Sequence, residues 1–92
     1  MVPVHPNRLL RRELAARDLS ANALARALRV LPGRVINILN GKRAISAETA
    51  LRLGRYFANG ARFWLALQTR CDLAVAEREQ GARVAAEVQA AA

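Results

Sequence analysis

Apolar residues in this chain recur at spacings of three and four, in five blocks divided by turn-forming residues, which is the signature of amphipathic helices. Leu9, Leu10 and Leu14 form the first stripe and leave Arg8, Arg11 and Arg12 to face water. The block predicts a helix from Pro6 or Asn7 to about Arg17, with Asn7 or His5 at its cap and a turn at Asp18 and Leu19. Ser20 is a good N-cap, and Leu24, Ala25 and Leu28 give a second helix one apolar side. After the short connection Arg29-Val30-Leu31 comes Pro32, which suits the first position of a helix because its missing N–H would go unpaired there. A third helix is predicted from Pro32 to about Asn40, stopped by Gly41. Residues 42–45 form a basic loop, and Ser46 then caps a fourth helix through Phe57, with Glu48 favourable in its first turn. Asn59-Gly60 ends that block, and Trp64, Leu67, Cys71 and Val75 predict a fifth helix over about Ala61–Glu79.

Beyond Gly81 the pattern weakens. Residues 82–92 are alanine-rich with little to bury, so a frayed end is expected over a short helix through Val84 and Val88. The organisation predicted is one domain over residues 1–80 and a tail over 81–92, as 92 residues cannot hold two useful cores. Hydrophobic residues make up 53% of the chain but are chiefly Ala, Leu and Val, with only Tyr56, Phe57, Phe63 and Trp64 aromatic. Strand-favouring residues are thus sparse and the expected class is all-α.

Charge adds the first functional clue. Residues 1–43 hold nine of the fifteen basic side chains and two of the seven acidic ones, so most of the net +8 lies in the N-terminal half. A solubilising surface would carry such an excess, but its concentration in one half points to a polyanion, either nucleic acid or an anionic lipid surface. No apolar run approaches the roughly 20 residues that cross a bilayer. Pro, His and Arg stand where an apolar leader would be, so no signal peptide is expected. The single Cys71 fits a reducing cytoplasm and reads as a small packed side chain. One His, one Cys and scattered carboxylates make no triad, dyad or metal cluster, so neither enzyme activity nor a cofactor is expected.

Two short helices joined by a tight turn and followed by a basic loop make the arrangement that lays a helix in the DNA major groove. In the third helix Val35, Ile38 and Leu39 face inward. Gly33, Asn37 and Asn40 then face outward, with Arg34 and Ile36 on the flanks. Arginine can bond guanine O6 and N7 together, and asparagine adenine N6 and N7. Pro32, Gly33 and Arg34 form the end of the helix that enters the groove, and Gly33 lets the backbone approach closely. Lys42 and Arg43 are placed for phosphates, as is the start of helix two at Ser20 and Asn22. The same spacing also suits a helical hairpin with a merely solvated polar face.

The run His5 to Leu73 resembles the HigA/VapI-type antitoxins of toxin–antitoxin operons, within the xenobiotic-response-element, phage-repressor-like helix-turn-helix superfamily. The most specific pieces are His5-Pro6, "ILNGKRAISAETALRL" (Ile38 to Leu53) and "FWLALQ" (Phe63 to Gln68), with Asp72-Leu73 following. The resemblance implies a five-helix, lambda-repressor-like domain that homodimerises on a palindromic operator in its own promoter. It also implies a HigB-like, RelE-type toxin partner that cleaves mRNA. It matches Arg34, Asn37, Lys42 and Arg43 to the DNA-contact region. Trp64, Leu67 and Gln68 fall in the segment that shapes the core and the dimer, and Cys71 one turn on is grouped with them. The alternatives are a stand-alone repressor of the same fold, and a cationic protein that coats nucleic acid or lipid without sequence preference.

Three positions depart from the family pattern. Ala21-Asn22 replaces the glutamine usual after the serine, Arg29 replaces the turn glycine, and Leu31 replaces the serine cap before Pro32. Arg29 must therefore adopt a backbone conformation that glycine adopts more easily. Loss of the serine cap should cost the third helix about 1 kcal/mol.

Overall fold

A computed structural model describes residues 4–91. The described residues form five helices and no strands: α1 (Pro6–Ala16), α2 (Ala21–Leu28), α3 (Pro32–Leu39), α4 (Ala47–Phe57) and α5 (Ala61–Glu87). The starts of α1, α2 and α4 follow from side-chain caps. His5 Nδ1 accepts from the Asn7 N–H at 3.1 Å, Ser20 Oγ from the Ala23 N–H at 3.1 Å, and Ser46 Oγ from the Thr49 N–H at 3.2 Å. Each occupies an otherwise unpaired first-turn donor.

The inward stripes of all five helices meet in one core. Leu10 and Leu14 come from α1, Leu24, Ala25 and Leu28 from α2, Val35, Ile38 and Leu39 from α3, Ala50 and Leu53 from α4, and Trp64 from α5. Ile45, in the loop before α4, is buried with them. Trp64 is fully enclosed, and its indole N–H donates to Asn59 Oδ1 at 2.8 Å, so the largest ring in the core leaves no polar group unpaired. Phe57 packs beside it, 5.7 Å between ring centroids, and the Arg17 guanidinium lies 4.9 Å from the centroid of the Phe57 ring.

At Gly54 the α4–α5 corner closes tightly. A Cβ there would lie 2.3 Å from the Gly60 carbonyl carbon, so only glycine lets the start of α5 press onto α4.

Two expectations change. The arginines of α1 do not all simply face water: Arg11 Nη2 donates to the Leu39 carbonyl at 2.8 Å and to Asn40 Oδ1 at 3.1 Å. It satisfies the open C-terminal end of α3, a partnership 28 residues away that local spacing cannot reveal. The helical fifth block also does not stop near Glu79 or fray after Gly81. α5 continues to Glu87 and crosses residue 80 without interruption. Alanine's helix propensity and the Arg83–Glu87 pair one turn apart, at 3.1 Å, offset the cost of Gly81. No helix among the described residues is long and apolar enough to cross a membrane.

Candidate nucleic-acid interface

The turn between α2 and α3 sets the angle of the exposed helix. Arg29 takes the left-handed conformation, φ 61° and ψ 43°, and the Val30 N–H bonds back to the Ala25 carbonyl at 3.0 Å. This is the Gly-type helix ending built with arginine, at a cost of about 1 kcal/mol. Leu31 then precedes α3 with no side-chain cap and is 81% exposed. α3 thus begins with little local support.

Its faces divide as the spacing predicts. Val35, Ile38 and Leu39 are buried, while Pro32, Gly33, Ile36, Asn37 and Asn40 are exposed. No described residue hydrogen-bonds the Asn37 side chain, so its carboxamide can both donate and accept, as pairing with adenine requires. The Asn40 carboxamide is oriented by Arg11 through its oxygen. Just beyond, the Lys42 and Arg43 N–H groups both bond the Asn37 carbonyl, at 2.8 and 3.2 Å, which fixes the two cations directly after the helix. Gly41, at φ 73°, makes that bend. Neither Lys42 nor Arg43 forms an ion pair with a described residue. Ser20 and Asn22 are exposed at the start of α2, where the serine hydroxyl is already occupied as the cap.

Arg34 is placed differently from a free flanking arginine. It is half-buried, and its Nη1 pairs with Glu48 in the first turn of α4. Arg52 holds the other Glu48 oxygen at 3.3 Å and donates from its own Nη1 to the Leu28 carbonyl at 2.8 Å. Two guanidinium groups, Arg52 foremost and then Arg34, hold the Glu48 carboxyl below its ordinary value. The Glu48–Arg52 spacing of four was readable in the sequence, whereas the Arg34–Glu48 pair, 14 apart, appears only when α3 and α4 meet.

The four residues grouped on α5 also separate. Trp64, Gln68 and Cys71 are buried within the chain itself, and Leu67 is half-buried. Gln68 Oε1 accepts from the buried Ile45 N–H at 2.9 Å while its Nε2 donates to Asp72 at 2.9 Å, so it fastens the α3–α4 loop to α5. Sequence spacing put Gln68 on the right helix and missed this partner. The Cys71 thiol donates to the Val4 carbonyl at 3.2 Å, and burial pushes its pKa up. No group of three or more His, Cys, Asp or Glu among the described residues could hold a metal ion.

Comparison with known proteins agrees with this geometry. The helix-turn-helix family profile matches residues 10–60. Virulence-associated protein I of Dichelobacter nodosus is 48% identical over 81 residues, covering 87% of this chain and 75% of that protein. An addiction module antidote protein of the HigA family from Coxiella burnetii superposes with a TM-score of 0.93 at 43% identity, covering 98% of this chain and 99% of that one. The Pseudomonas aeruginosa antitoxin HigA, solved with the higBA promoter, gives a TM-score of 0.91 at 43% identity over 98% and 99% of the two chains.

Proposed function

The chain belongs to the helix-turn-helix family, among proteins of the HigA antitoxin type, and from that premise we propose that it represses its own operon and neutralises a HigB-like toxin. A homodimer binds a palindromic operator through α3, with Arg34, Asn37 and Asn40 reading bases and Pro32 and Gly33 giving close approach. Lys42, Arg43, Ser20 and Asn22 hold the phosphates on either side. The observation that carries this reading is the exposed face of α3, where an unpartnered Asn37 lies between an oriented Arg34 and two unpaired cations. The likeness to a HigA solved with promoter DNA supports it.

Dimerisation follows from the short reach of one eight-residue helix, which reads too few bases alone. Trp64, Gln68 and Cys71 act here by fixing α5 from within, and Leu67 offers the surface, next to Phe63, which is 41% exposed. The toxin, an RNA-cleaving protein of RelE type working in the cytoplasm, docks on α1 or on the outer half of α5. That leaves α3 on the DNA.

Footprinting on the upstream region and co-expression with the adjacent gene product test both halves. Two protected half-sites about one helical turn apart are expected, together with a co-purifying toxin. The variant Arg34→Ala, Asn37→Ala should lose repression yet still rescue growth. Loss of both activities in a folded variant overturns the separation of surfaces, and repression without any toxin partner makes the chain a stand-alone repressor.

A further inference from the structure

Arginine is the most adaptable reader on this face and also the one most easily lost to the DNA backbone. A long side chain gives up as much as about 2 kcal/mol of rotamer freedom when fixed, and phosphates surround any base it is meant to reach. An arginine that reads sequence therefore benefits from being held before DNA arrives. In this chain the holding group is present. Glu48 takes only Nη1 of Arg34, and no described residue hydrogen-bonds Nε or Nη2 of that guanidinium. Glu48 is itself steadied from behind, by Arg52 and through it by the Leu28 carbonyl at the end of α2. Three helices thereby fix one guanidinium at the start of α3.

Stability alone does not account for the arrangement. The Glu48 side chain is 56% exposed, and ion pairs at such exposure contribute about 0–1 kcal/mol. An ionised carboxylate on the edge of a cationic face also weakens attraction to any polyanion, whatever its sequence. Both effects favour discrimination over affinity.

We propose that Glu48 is a specificity-determining positioning residue: it holds Arg34 by one nitrogen with the remaining guanidinium edge free for a guanine, and its charge opposes capture of Arg34 by phosphate. This rests on the reading of α3 as the DNA-contacting helix. Glu48 touches no base itself and acts through Arg34.

The test uses the full chain, with binding followed by fluorescence anisotropy at several salt concentrations. The probes are a duplex that the unmodified protein enriches from a randomised pool and a scrambled duplex of the same composition. Glu48→Gln, nearly isosteric, should bind the scrambled duplex several-fold tighter and the enriched duplex no tighter, so that selectivity falls about tenfold, the value of part of one bidentate base contact. In the Arg34→Ala background the same Glu48→Gln change should shift both duplexes by one common factor. A common factor with Arg34 present would reduce Glu48 to bulk charge and overturn the proposal. So would parallel weakening on both duplexes with a lowered melting temperature, which marks a purely structural role. If the unmodified protein enriches no sequence, the DNA reading itself fails, a result distinguishable from either of these, and the role of Glu48 falls with it.

Discussion

Helices α3 and α4 lie side by side in the chain but are started and held in different ways. α4 begins with a full set of local devices: Ser46 accepts from the Thr49 N–H, Glu48 sits in the positive first turn, and Ile45 is anchored just before. α3 begins after a left-handed arginine and an exposed, non-capping leucine, and is secured from outside by Arg11 at its end and Glu48 at its start. On the proposed reading α3 presents an open polar face to DNA, which leaves only one side for packing. Its support comes from side chains of α1 and α4. The contrast teaches that a helix with weak local signals can be fully supported by its neighbours.

The sharpest way to break the comparison is at the corner that fixes α4. Gly54→Ala places a Cβ within 2.3 Å of the Gly60 backbone, and the loss of stability should be about 3 kcal/mol, read as the shift of a denaturation midpoint. A smaller shift than that of any cap variant would show that the α4–α5 corner yields freely.

Gln68→Ala comes next. It leaves the buried Ile45 N–H without its acceptor, at a cost of about 1–3 kcal/mol. Amide exchange at Ile45 should quicken more than in the middle of α2.

The helix starts should then move in opposite directions. Ser46→Ala removes a working cap and should cost about 1 kcal/mol, whereas Leu31→Ser supplies the missing one and should add a similar amount. Arg29→Gly should add about 0.5 kcal/mol, because relief of the left-handed conformation outweighs the greater freedom of glycine in the unfolded chain. Thermal denaturation of the three variants side by side checks both the signs and the order.

The smallest effect is with pH. The Glu48 carboxyl is lowered in the fold, so its contribution is complete above its ordinary value of 4.5 and is lost as pH falls through the lower folded value. The stability difference between the unmodified protein and Glu48→Gln should shrink as the solution is acidified, and a difference that grows there would reverse the assignment.

Much of the domain was legible beforehand because the information is local. Ser20, Pro32, Ser46 and Gly41 punctuate the helices by the bonds they make or lack within one turn, and the apolar stripes choose the buried side of each. The left-handed Arg29 and the uncapped Leu31 were likewise visible as departures from a pattern. The fray expected past Gly81 is not found, because burial is not needed to hold a helix there. Local helix propensity carried the helix on without it.

What the sequence determined by itself, then, was the set of helices, their inward faces and the polar strip on α3, since each depends on neighbours three or four residues away. Tertiary structure alone decided that Arg34 is held by Glu48, that Arg11 closes the end of α3, that Gln68 fastens the loop before α4, and that Gly54 admits the next helix. Those four contacts join residues from different helices and loops, and their partners are chosen by how the elements pack. A hydrogen-bonding side chain finds whichever unsatisfied group the fold brings within about 3 Å, and nothing in local spacing names that group in advance.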